Sequence, residues 1–154
     1  MKFRDTLLSG LLAGLAMLVP ATAHAAKLDT KAIAEIDKLL KLVSSGDIVG
    51  QYRHGELATG GVFRFQISGD ERFKYYFNAI CDDDCTNLDL FAFDKDGKEL
   101  DTDDADDNAP TLEIQSIFDS EEKPRPRQIT VEVRMVACKA AVCAWGARVG
   151  AFED

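Results

Sequence analysis

The chain has 154 residues, 46% of them hydrophobic, and carries 27 acidic against 18 basic side chains for a formal net charge of −9. An acidic balance of this size argues against a nucleic-acid backbone as partner, because phosphate recognition needs a cationic footprint. It suits cation binding or plain solubility. The length supports one domain with a core of its own rather than two.

At the N-terminus, Lys2 and Arg4 precede an apolar run over residues 7–19, Pro20 breaks it, and Ala23, His24 and Ala25 put small residues at the cleavage positions. That order describes a secretory signal peptide over residues 1–25. The run is far shorter than the roughly 20 residues needed to span a bilayer. The mature chain is therefore expected to be periplasmic or secreted, without stable membrane insertion. It keeps 129 residues, 26 acids and 16 bases.

Residues 28–45 space Ile33, Ile36, Leu39, Leu40 and Val43 at intervals of three and four, with Asp29 or Thr30 as N-cap and Gly46 beyond the last turn. The spacing predicts an amphipathic helix within an N-terminal segment 26–46. Its apolar face is expected to pack on the following domain; docking on a partner protein is the alternative.

From Ile48 the period changes to two. GGVFRFQI sets Phe63, Phe65 and Ile67 against Val62 and Arg64, and RFKYYFNAI sets Phe73, Tyr75, Phe77 and Ala79 against Arg72, Lys74, Tyr76 and Asn78. NLDLFAF places Leu88, Leu90 and Ala92 opposite Asp89, and Ile129, Val131, Val133 and Met135 form the cleanest inward row. TLEIQSIF and VCAWGARVGAF complete six long strand candidates, with short ones at 48–52 and 98–101. No helical pattern separates them, so parallel units are not expected. Residues 47–154 read as a mainly β domain, an antiparallel two-sheet β-sandwich of jelly-roll-like form.

The four cysteines, Cys81, Cys85, Cys138 and Cys143, all follow the expected cleavage point. An even count in an exported chain reads as disulfides, with three connectivities open. The C-x3-C spacing and the intervening Asp82, Asp83 and Asp84 disfavour a redox pair, since like charge raises a thiol pKa.

Catalysis finds little support. His54 stands in a polar stretch read as a turn, and the serines sit in no nucleophile-elbow pattern. A hard cation is the stronger chemical candidate. Twelve acids and two lysines fall between Asp82 and Asp107, and calcium takes six to eight oxygens from flexible loops. The candidate ligands are Asp89, Asp94, Asp96, Asp104 and Asp107. Asp89 leads because it interrupts a strand, where a carboxylate must face water, accept hydrogen bonds or hold a metal. For the stretch 94–97 the competing expectation is a tight turn, with Asp94 capping amides and Gly97 at positive φ.

CDDDCTNLDLFAFDKDGKEL, then DTDDADDNAP, then ITVEVRMVACKAAVCAWGARV together resemble the bacterial pre-peptidase C-terminal type of domain, with Asn87 replacing the first acid of its D-L-D-L strand. The resemblance covers residues 47–149. It implies a compact β-sandwich acting as a non-catalytic module, local disulfides Cys81–Cys85 and Cys138–Cys143, and relatives that bind calcium and collagen. Among the aromatic residues, Tyr52, Tyr75, Tyr76 and Trp145 are then the candidates for polymer contact. The expected function is an exported binding or scaffolding protein for another protein or an extracellular polymer, monomeric or weakly dimeric. An inhibitor or chaperone-like partner of a secreted protein, working through the basic loop 123–127, and a carboxylate-dependent hydrolase are the alternatives.

Overall fold

The computed structural model describes residues 30–43, 47–48, 52–116 and 126–153. The signal peptide, both ends of the segment 26–46, and residues 123–125 of the basic loop lie outside the described residues. One helix, α1 (Thr30–Val43), precedes nine strands: β1 (Asp47–Ile48), β2 (Arg53–Leu57), β3 (Val62–Asp70), β4 (Phe73–Cys81), β5 (Cys85–Phe93), β6 (Glu99–Asp103), β7 (Thr111–Ile114), β8 (Pro126–Cys138) and β9 (Cys143–Glu153).

The strands form two antiparallel sheets. Sheet A runs β1-β9-β4-β7, with β2 also on the free side of β9, and sheet B runs β3-β8-β5-β6. The pairs β5–β6, β4–β7, β3–β8 and β2–β9 are nested. This is one long antiparallel ribbon wound into a jelly roll, the architecture expected from the alternating pattern.

The ribbon turns at residues 94–98. Asp94 Oδ1 accepts the amides of Asp96 at 2.8 Å and Lys98 at 2.9 Å, while the Gly97 amide donates to the Asp94 carbonyl at 3.1 Å. Gly97 adopts φ +81°, a conformation costly for any residue with a Cβ. The amide bonds, that of Lys98 foremost, hold the Asp94 carboxyl below its ordinary value.

Between the sheets the inward rows meet. Leu88, Leu90, Ala92, Ile129, Val131, Val133 and Met135 from sheet B face Tyr75, Phe77, Leu112, Trp145 and Val149 from sheet A, all buried. Both close cysteine pairs are bonded, Cys81 to Cys85 and Cys138 to Cys143. Each spans a passage from one sheet to the other, β4 to β5 and β8 to β9, and Cys85 lies opposite Cys138 in the ladder. The loops are so short that each bond is worth only about 2 kcal/mol by chain entropy. Their placement fastens the two sheets together at one end of the sandwich.

Helix α1 neither caps an end of the sandwich nor stands free. It lies on the outer face of sheet A, where Ile33, Ile36 and Leu40 pack on Ala144 beside Tyr52 and Ile80. Gly146 makes the seat possible, because a Cβ there would come within 2.4 Å of the Tyr52 hydroxyl and 2.6 Å of Ile36. Arg148 donates to Asp37 of the helix and lies 5.2 Å over the Tyr52 ring. Burial, with the Asp37 charge, pushes the Tyr52 phenol up to about 12. Leu39, expected on the buried stripe, is 45% exposed, so the helix meets the sheet along a narrower line than its spacing predicts. No described helix is long and apolar enough to cross a membrane.

If the turn sets the ribbon, Gly97→Ala should destabilise the fold by about 1–2 kcal/mol. Urea unfolding would read this as a lower midpoint at unchanged slope; an unmoved midpoint would mean that the turn adapts.

Candidate functional site

With α1 covering sheet A, the outer face of sheet B is left open among the described residues. Along β3, β8 and β5 the non-core positions alternate with the core rows, and the ladder sets Arg64 beside Glu132 and Glu132 beside Phe91. Two residues further along each strand, Val62, Arg134 and Asp89 line up in the same way.

At the centre of this face is a buried carboxylate. Arg64 Nε donates to Glu132 Oε2 at 2.6 Å, and Arg134 Nη2 donates to Oε1 at 2.5 Å. The Glu132 side chain is 2% exposed, whereas those of Arg64 and Arg134 are 67% and 43% exposed. Burial would raise the Glu132 carboxyl, but the hydrogen bonds from Arg134 and Arg64 outweigh it and hold the group below its ordinary value. Solvent therefore meets guanidinium groups here, with their counter-charge beneath them.

Aromatic surface adjoins the charges. The Arg134 guanidinium lies 4.4 Å from the Phe91 ring centroid, and Phe91 and Phe93 stack at 6.5 Å and 12°. Beside Phe93 an open cleft of about 310 Å³ is lined by Arg64, Asp94, Lys95, Thr130 and Glu132. Polar donors, two cations and an apolar ring thus share one hollow.

The five acids singled out as cation ligands do not form one group. Asp94 is taken up by the turn, and Asp96 is exposed and pairs with Lys95 at 2.6 Å. Asp89 lies in mid-strand, roughly 16 Å of extended chain from Asp94. Asp89 is buried and its Oδ1 has no hydrogen-bond partner. Burial raises its carboxyl above the ordinary range, Arg134 opposes the shift, and Asp104 and Asp103 add to it. Asp107 Oδ1 accepts the Ala109 amide at 2.9 Å, and its carbonyl accepts the Leu88 amide at 2.8 Å, which ties the loop to β5. Among the described residues no three His, Cys, Asp or Glu side chains gather to hold a metal ion.

The rest of the acidic run has a structural use. From edge strand β6, Asp103 and Asp101 reach across to sheet A and accept the Thr111 and Glu113 amides, each at 2.8 Å. They satisfy the outward N–H groups of β7, which would otherwise invite a neighbouring strand.

Other expected positions are now placed. His54 lies in strand β2, not in a turn, and stacks on Tyr52 at 5.0 Å. Of the aromatics considered for polymer contact, Tyr75 and Trp145 are buried in the core while Tyr52 and Tyr76 are half-buried. Glu132 and Arg134 were not singled out from the sequence. The available signal was a pair of charges on the polar face of the strand with the cleanest apolar row.

Comparison with protein-family models and with curated proteins finds no match to this chain.

Glu132→Gln should destabilise the fold by about 1–2 kcal/mol at pH 7. This is less than the roughly 3–5 kcal/mol for breaking a fully buried pair, because both arginines reach water. A depressed carboxyl contributes its full stability above the unfolded range near pH 4.5 and loses it as pH falls through the lower folded value. Urea midpoints of the two proteins should draw together as pH falls below 4.5; a gap independent of pH would mean that packing, not charge, sets the cost.

Proposed function

We propose that this chain is an exported, non-catalytic β-sandwich module that holds an anionic polysaccharide against the open face of sheet B. One observation carries the reading: Glu132 is buried beneath the partly exposed guanidinium groups of Arg64 and Arg134, beside a pair of nearly parallel phenyl rings. A molecule that is acidic overall thereby presents guanidinium donors beside aromatic rings. A pyranose ring offers C–H groups to Phe93 and hydroxyls to Thr130, and a uronate or sulfate group matches Arg64 and Lys95.

Further support comes from the covalent frame. Two disulfides suit an oxidising compartment, in keeping with the periplasmic or secreted location expected from the N-terminus. The motif order that resembles the pre-peptidase C-terminal type of domain favours the same non-catalytic role. A carboxylate hydrolase is less well supported, since general acid and base work needs two carboxylates free to exchange protons and both oxygens of Glu132 are held by arginine. Capture of a folded protein through this face is the competing reading.

The test is affinity electrophoresis and titration calorimetry of the oxidised protein with alginate, polygalacturonate and heparin, using neutral dextran as the contrast. Retention by an acidic polymer but not by dextran, weakening with salt, is expected. Arg64→Ala and Lys95→Ala should each weaken binding by about tenfold, the scale of one charged hydrogen bond. No retention by any acidic polymer, or retention unaffected by both substitutions, would rule the reading out.

A further inference from the structure

A separate cluster lies at the β6 side of the same sheet. The β5–β6 ladder ends at Leu90 and Asp103, and the loop that follows stays beside β5, where Asp104 and Asp103 lie near enough for their charges to act on Asp89. Asn87 Nδ2 donates to Asp106 Oδ1 at 3.1 Å. The Leu88 amide, bonded to the Asp107 carbonyl, holds the loop alongside the strand. Two side-chain oxygens on this stretch of β5, Asn87 Oδ1 and Asp89 Oδ1, are buried and accept no hydrogen bond. Asp89 as a whole is only 7% exposed.

Orphaned acceptors of this kind are costly, and a charged one especially so. Arg134 is the nearest compensating charge, but its guanidinium is directed to Glu132 and to the Phe91 ring and leaves Oδ1 without a donor. The two orphaned oxygens, with the loop carboxylates of Asp104 and Asp106 near them, lack a positive group that can serve several oxygens at once.

We propose that Asn87 and Asp89 of β5, with Asp104 and Asp106 of the adjoining loop, form a calcium site. The donor set is all oxygen and the charge is high enough for a divalent ion. Side chains on a strand and a loop can adjust to the irregular, six- to eight-fold coordination that calcium accepts, whereas magnesium demands a compact octahedron. The three carboxylates do not gather closely enough to hold an ion by themselves, so main-chain carbonyls and water complete the shell. Asp94 and Asp96, at the far end of β5, take no part. The ion would satisfy both orphaned oxygens and fix the loop 104–107 to the sheet.

Titration calorimetry and thermal melts of chelator-stripped, oxidised protein test this with calcium chloride, and with magnesium chloride as the contrast. The wild type should bind one calcium with a Kd on the order of 0.1–1 mM, typical of extracellular modules, and should melt several degrees higher at 10 mM calcium. Asp89→Asn should abolish binding, yet melt at or above the wild type in chelator because it removes a buried charge. Asp104→Asn, a change on an exposed loop, should weaken the Kd at least tenfold, and Asp94→Asn should leave it unchanged. Absence of binding up to 10 mM calcium, an equal response to magnesium, or binding undiminished in both Asp89→Asn and Asp104→Asn would overturn the assignment.

Discussion

The nesting of the strand pairs about the turn at residues 94–98 is the constraint on which the rest of the molecule depends. Each successive pair, from β5–β6 out to β2–β9, is possible only because the preceding pair has brought its continuation alongside. An aspartate that binds two amides and a glycine at positive φ fix where the chain reverses. Register follows from that reversal, and register decides which side chains face the core. The two disulfides then secure the passages where the ribbon crosses from sheet to sheet, and they act on the end of the sandwich where chain entropy alone gives little.

Winding a ribbon into two sheets leaves two outer faces, and the chain treats them differently. Sheet A is roofed by α1, seated over Gly146 and held by the Arg148–Asp37 ion pair. On sheet B the same kind of pairing lies on the open face itself, with Glu132 buried between two partly exposed arginines. A carboxylate in that position orders the guanidinium groups and screens only their inner side. The result is a pre-arranged donor surface beside phenyl rings, the kind of surface that reduces the ordering cost of binding. The acidic residues are sorted as well: Asp101 and Asp103 close an edge, Asp94 makes a turn, and Asp89 is left buried with an oxygen unsatisfied.

Much of the architecture was legible because period-two alternation records burial directly. The Phe65–Ile67, Tyr75–Phe77–Ala79 and Ile129–Met135 rows all point inward as their spacing predicts. Where the reading failed, the cause was tertiary. RHGEL has the composition of a turn, yet it is a strand because β9 has a free edge for it and Gly55 admits the Trp145 ring. Leu39 fits a helical stripe that the flat sheet does not reach. The partnership of Glu132 with Arg64 joins residues 68 apart in sequence, and no local pattern reports it. The density of aspartates suggests one cation cluster, but extended chain carries Asp94 away from Asp89 while the loop after β6 keeps Asp104 near it.

The most direct test of the central claim, that the open face of sheet B is the working surface, is a backbone amide chemical-shift map of the isotopically labelled, oxidised protein during titration with an oligouronate. The account predicts saturable shifts concentrated at Arg64, Phe91, Phe93, Lys95, Thr130 and Glu132, with α1 and the outer face of sheet A unmoved. Shifts centred on α1, or none at any residue at millimolar ligand, would contradict it.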